Sequence, residues 1–166
     1  QGALPHRICD DIVAYGNELK EETAVTFGYD PDNMTPNQQK QLEQKRKSNV
    51  VWMSPVWIYR ELHPLVHEAN SNAGWNYHWD WSEPCQFTKY DGSKKQHYDW
   101  HTDAGLRVNE NGKMSSPDKE NIHVVKQAKI KGSVTIFPSF VWHRVKPVTA
   151  GTRYSLVNWH QGRPFV

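Results

Sequence analysis

His97-Tyr98-Asp99-Trp100-His101-Thr102-Asp103 reads as a β-strand. It follows the turn signal Asp91-Gly92, and its aromatic residues suit a pleated, half-buried surface. Alternate side chains of a strand share a face, so His101 and Asp103 point one way and Thr102 the other. Further short strands are expected on both sides, at about 85–91, 122–130, 132–137, 141–146 and 153–160. Asp91-Gly92, Lys131-Gly132, Pro138 and Ala150-Gly151 punctuate them. Upstream, Trp75, Tyr77, Trp79 and Trp81 alternate with Asn76, His78 and Asp80, which predicts another half-buried strand. Residues 105–121 are polar and read as a loop.

Before residue 75 the period is helical. Ile8, Ile12, Tyr15 and Leu19 form one stripe over residues 5–20, and Pro5 suits the helix start. Asp30-Pro31-Asp32-Asn33 resembles a fragment of a calcium loop but lacks its glycine and closing glutamate, so a plain turn is expected. Thr35, Pro36 and Gln38 have the spacing of a capping box. The polar helix they open, to about Arg46, reads as a solvated surface helix, with the Lys45-Arg46-Lys47 run in solvent. Val50–Met53 reads as a strand. Ser54-Pro55 opens a third helix, with Ile58, Leu62, Leu65, Val66 and Ala69 as its apolar stripe and Asn72-Ala73-Gly74 as its end. Helices first and antiparallel strands after predict a mainly β chain with flanking helices (α+β). Its core would be a barrel or jelly roll with helices packed on one side.

The 166 residues predict a single domain, with helical support at about 1–74 and the β core at about 75–166. Aromatic residues make up 12%, including eight Trp, which favours a sheet-rich interior. A net charge of +2 is too mild to argue for a nucleic-acid or membrane partner. No apolar run approaches the roughly 20 residues that span a bilayer. Gln1 to Leu19 lacks the basic start and apolar block of a secretion signal, so a cytoplasmic protein is expected. Cys9 and Cys85 make no disulfide framework and read as free thiols.

His101 and Asp103 on one strand face can chelate one ion, and His143 is the best third ligand. It follows Phe137-Pro138-Ser139-Phe140-Val141-Trp142, an apolar stretch in which a histidine needs a reason. Two imidazoles and a carboxylate on one face of iron(II) leave open positions for co-substrate and O2, although zinc or manganese would also bind them. A His-x-Asp pair alone is a weak signal, and a histidine in an apolar strand is more often a hydrogen-bonded core residue. Arg153, ten residues after His143 and one expected strand away, favours the ligand reading. A guanidinium fork pairs with a carboxylate through two parallel hydrogen bonds, and Ser155 on the same strand face could add a third.

These stretches carry a family resemblance. Tyr90-Asp91-Gly92 through His101-Thr102-Asp103 resembles the first half of the iron(II)- and 2-oxoglutarate-dependent oxygenase signature. Gly132-Ser133-Val134-Thr135-Ile136-Phe137 through His143-Arg144-Val145, with Pro147 through Arg153-Tyr154-Ser155-Leu156-Val157, resembles the second half. The nearest subgroup is the prolyl 4-hydroxylase-like one, with its bacterial and phage-encoded members. The likeness covers roughly residues 83–163. It implies a double-stranded β-helix core. His101, Asp103 and His143 would be the iron ligands, and Arg153 the partner of the distal 2-oxoglutarate carboxylate, with Ser155 assisting. Tyr90 matches a co-substrate-bonding tyrosine, Trp159 a pocket-lining tryptophan and Tyr98 an aromatic position. For Tyr90 and Trp159, plain aromatic packing is the competing reading.

The resemblance further implies Fe(II), 2-oxoglutarate and O2 as cofactor and co-substrates, with ascorbate as a candidate reductant. The reaction implied is hydroxylation of an unactivated C–H bond with release of succinate and CO2. The substrate would be a peptide, a protein or a small molecule, with a peptidyl proline the subgroup default. The location would be the host cytoplasm for a phage-encoded member. The chain departs from the family pattern in one place. Members carry a longer segment between the His-x-Asp and the distal histidine, whereas His101 and His143 are 42 positions apart. Central strands are missing near Met114-Ser115-Ser116. Either the segment is deleted in this protein or residues are omitted from the sequence there, and omission is the favoured expectation because a barrel without those strands would expose unpaired edges. Two other classes compete: a redox-silent, metal-binding cupin-like protein, against which Arg153 argues, and a Trp-rich peptide- or sugar-binding module.

Overall fold

The structure, a computed structural model, describes residues 2–26, 28–104 and 122–163. Helix α1 (His6–Glu18) starts after Pro5, and a short extended piece, β1 (Glu22–Thr23), follows it. Helix α2 (Pro36–Lys45) starts at the expected capping box. The Thr35 hydroxyl accepts from the Gln38 N–H, and the Gln38 side chain accepts from the Thr35 N–H. The chain then turns extended through β2 (Arg46–Lys47) and β3 (Asn49–Met53). Helix α3 (Val56–Asn72) ends at Gly74, whose φ of +66° is a left-handed conformation that glycine adopts without strain. The remaining strands are β4 (Trp81–Ser82), β5 (Cys85–Asp91), β6 (His97–His101), β7 (His143–Val145), β8 (Thr152–Val157) and β9 (His160–Gln161).

The result is an α+β fold of helices and antiparallel sheets. One sheet has the order β1-β3-β5-β8, a second β2-β6-β7, and β4 pairs with β9. In the first sheet Val51 lies opposite Phe87 and Met53 opposite Cys85, while Thr88 lies opposite Ser155 and Tyr90 opposite Arg153. Residues opposite each other share a face, so β5 has two different sides. One side packs on the helices. Ile12 of α1 and Ile58 of α3 join Val51, Met53, Cys85 and Phe87 in the core. Each such side chain stabilises by about 1.5–3 kcal/mol on burial. The approach of α1 is close enough that a Cβ on Gly16 would come within 2.6 Å of the Phe87 ring. The other side carries Gln86, Thr88 and Tyr90, all buried. Arg46 of β2 reaches Gln86 with a 2.7 Å hydrogen bond, which brings the second sheet over this face.

Several expected strands do not form. The Trp75–Trp81 alternation is not a strand before Trp81. Asn76 has a φ of +53°, and the Asn70 side chain bonds both the N–H and the C=O of Tyr77, taking the place of a neighbouring strand. Residues 122–130 hold a 3-10 turn (Lys126–Lys129) with local bonds such as Ile130 N–H to Gln127 C=O. Residues 132–137 are irregular: Gly132 has a φ of +80°, and its carbonyl accepts from the Leu4 N–H instead of a strand partner. Phe140 and Val141 sit in an exposed turn, where the Val141 N–H bonds the Pro138 carbonyl, so β7 is shorter than 141–146. The span 153–160 divides into β8 and β9. The Lys45-Arg46-Lys47 run is not a solvated stretch: Arg46 is 6% exposed and Lys45 donates to the Trp100 carbonyl. The expected missing strands near Met114-Ser115-Ser116, and the loop 105–121, lie outside the described residues.

Candidate metal centre

Strands β6 and β7 pair antiparallel with His101 directly opposite His143, after an irregularity in register between Tyr98 and His101. Asp103 is not part of β6. It sits in the bend that follows, where its N–H bonds the Ser139 carbonyl at 2.8 Å. The three side chains nonetheless converge: one ligand atom from each lies within 4.8 Å of the others. Asp103 Oδ1 is 3.8 Å from His101 Nε2, and its Oδ2 is 3.6 Å from His143 Nε2.

The hydrogen bonds behind the rings decide what those atoms offer. His101 Nδ1 lies 2.8 Å from the Asp99 carbonyl, and His143 Nδ1 lies 2.9 Å from the Val141 carbonyl. A carbonyl only accepts, so each Nδ1 carries a proton and each Nε2 is turned towards Asp103. Burial, with the neighbouring His143 adding to it, pushes the pKa of His101 down to about 3, so this ring stays neutral. At His101 a ring lone pair therefore faces the Asp103 carboxylate at 3.8 Å. The N,N,O set could hold a divalent cation, and it suits iron(II), manganese or zinc without choosing among them. Aromatic rings enclose the site: Tyr98 stacks on His101 at 3.5 Å, and Phe137 lies 4.8 Å from His143.

On the facing sheet, Arg153 lies with its guanidinium carbon 5.4 Å from the Tyr90 ring centre. Its Nη1 is buried and has no hydrogen-bond partner among the described residues. Such an atom costs about 1–3 kcal/mol unless something accepts from it. Ser155 is two positions along β8, opposite Thr88 and on the Arg153 side of the strand. Tyr90 is buried, and burial raises its phenol pKa although Arg46 and Arg153 both draw it back. Trp159 packs against Trp52 at 6.1 Å. Trp52 is opposite Gln86 on β3 and 47% exposed, so this aromatic pair marks an open end of the same face. Trp100 carries the Arg144 guanidinium at 4.7 Å.

The sequence reading missed Arg46. It lies opposite Tyr98, with its guanidinium carbon 4.4 Å from that ring centre. Its membership of a basic run concealed it. The available signal was the helix limit just before it, which puts Arg46 in an extended segment where inward and outward positions alternate.

Comparison with protein-family models, with curated proteins and with solved structures finds no match for this chain. Among the described residues, no helix is long and apolar enough to cross a membrane.

Proposed function

We propose that the chain is a non-haem iron(II)- and 2-oxoglutarate-dependent oxygenase that hydroxylates an unactivated C–H bond and releases succinate and CO2. One observation carries this reading. Ligand atoms of two histidines and an aspartate converge on β6, the bend after it and β7, and the facing sheet holds a buried arginine nitrogen that has no hydrogen-bond partner among the described residues. His101, Asp103 and His143 would hold the metal. Arg153 would pair with the distal carboxylate of 2-oxoglutarate, with Ser155 and Tyr90 beside it. When bound, the iron and its co-substrate supply the oxidising power, and the protein supplies placement.

That placement follows from the strands. Pairing β6 with β7 sets the two histidines opposite each other, and the Asp99 and Val141 carbonyls fix which nitrogen faces inward. Tyr98 stacks on the His101 ring, and Phe137 lies against the His143 ring. Pairing β5 with β8 sets Arg153 beside Tyr90. Two antiparallel sheets that gather polar side chains between them are what part of a double-stranded β-helix would provide. The proposed substrate is a peptidyl residue such as proline, and it rests on the family resemblance alone.

The test is an anaerobic titration with iron(II) and 2-oxoglutarate, followed by the visible metal-to-ligand charge-transfer band. A band is expected in the parent protein. In Arg153→Ala it should require at least about tenfold more co-substrate, the loss typical of a charge-assisted hydrogen bond. Iron binding without a band would refute the oxygenase reading and leave a redox-silent metal protein.

A further inference from the structure

Arg46 is a cation in the wrong place for a surface residue. It is 6% exposed, held by the Ser48 hydroxyl at 3.1 Å from Nε and by Gln86 Oε1 at 2.7 Å from Nη2, and it lies over Tyr98. None of the ion pairs among the described residues includes it. Arginine is rarely buried unless paired, because removing a charge from water is costly. The hydrogen bonds that Arg46 donates to Ser48 and Gln86 go to neutral groups and leave its charge without an anionic partner among the described residues. The groups that act on it electrostatically are Tyr98, Tyr90 and Asp103, in that order. Only Asp103 among them is a carboxylate, and a metal would claim it as a ligand. Among the described residues Arg153 is equally without a carboxylate partner, and Tyr90 lies within the field of both guanidinium groups.

We propose that Arg46 is a second cationic determinant of the chamber, acting with Arg153 to select a dianionic small acid over a monoanionic one. This rests on the oxygenase reading for the identity of the acid. Arg46 acts through its field, since its Nε and Nη2 already serve Ser48 and Gln86. The low-dielectric walls formed by Tyr90 and Tyr98 keep that field from being screened by water. The same positive field opposes a metal cation. Removing the charge should therefore weaken anion binding and leave divalent-metal binding unchanged or tighter. A purely structural arginine would weaken both.

Calorimetric titration of Mn(II), and then of 2-oxoglutarate into the Mn(II)-loaded protein, separates these effects. Arg46→Gln is expected to bind 2-oxoglutarate about tenfold more weakly, the effect of one charge several ångströms away at an intermediate dielectric. Its Mn(II) affinity should not fall, and Arg46→Lys should recover most of the anion binding. Equal loss of metal and anion affinity, or unchanged anion affinity, would overturn the proposal. Arg153→Gln tests it independently of whether Arg46 variants fold. That protein should still prefer succinate to butyrate by several-fold through the remaining Arg46 charge, and loss of the preference would count against Arg46. A parent protein that binds Mn(II) but no 2-oxoglutarate would refute the oxygenase reading itself. Parent binding with an unaffected Arg46→Gln would remove the present inference alone.

Discussion

The two faces of β5 are built from alternate residues of one seven-residue strand, yet they follow different rules. Cys85 and Phe87 meet Val51 and Met53 across the sheet and Ile12 and Ile58 from the helices, and the one polar group among them, the Cys85 thiol, is met by Tyr59. Gln86, Thr88 and Tyr90 share their face with Arg153 of β8 and look towards Arg46, Tyr98 and the two histidines of the second sheet. Among the described residues that side holds a buried Arg153 nitrogen without an acceptor, a buried Arg46 without a carboxylate, and three ligand atoms close together. A protein interior normally satisfies its polar groups. The contrast teaches that the helix side holds the fold together, while the opposite side brings together the groups on which the proposed function rests.

The largest effect should come from breaking the apolar side. Phe87→Ala is expected to cost about 3–5 kcal/mol of stability, because the helices cannot close over the space it leaves. Chemical denaturation would measure this. The folded fraction should keep the metal affinity of the parent, whereas a coupled loss would show that the two faces are not separable.

Asp103→Asn sharpens the other side. The amide N–H groups can donate to His101 Nε2 or His143 Nε2, which the carboxylate cannot do. Metal-free protein should gain about 1 kcal/mol of stability, while metal affinity falls by more than the about 10–100-fold typical of losing an outer-shell partner. A variant that lost stability without metal would contradict the picture of mutually opposed lone pairs.

A smaller effect is expected at the β4–β9 seam, away from both faces. Ser82 bridges His63 Nε2 at 3.1 Å and His160 Nδ1 at 2.9 Å. Burial, with His63 and His67 adding to it, pushes the pKa of His160 from 6.5 down to about 4. Between those values the unfolded chain binds the proton that the folded chain refuses. The stabilisation is therefore complete above pH 6.5 and is lost as pH falls towards about 4. Urea midpoints across that range should decline in the parent and decline less in His160→Gln.

The sequence made the helix side readable because its signals are local. The capping box at Thr35, the stripe from Ile8 to Tyr15 and the strand Cys85–Asp91 all depend on near neighbours in the chain. It also exposed His101, Asp103 and His143, whose chemistry is specific enough to stand out, although it placed Asp103 inside a strand that ends at His101. It failed where a distant contact overrode the pattern. The Trp75–Trp81 alternation gave way to the Asn70 side chain, and the apolar stretch 132–137 gave way to the Leu4–Gly132 bond. Arg46 was hidden because burial of a charge depends on which strand crosses opposite, and no neighbouring residue in its basic run reveals Tyr98 or Gln86.

The most direct test of the central claim is the metal count. Parent protein and Asp103→Asn would be dialysed to equilibrium against Mn(II), and bound metal measured per chain. The polar face as described predicts one ion per chain in the parent and none in the variant at the same free concentration. No bound ion in the parent, or equal binding in both, would contradict it.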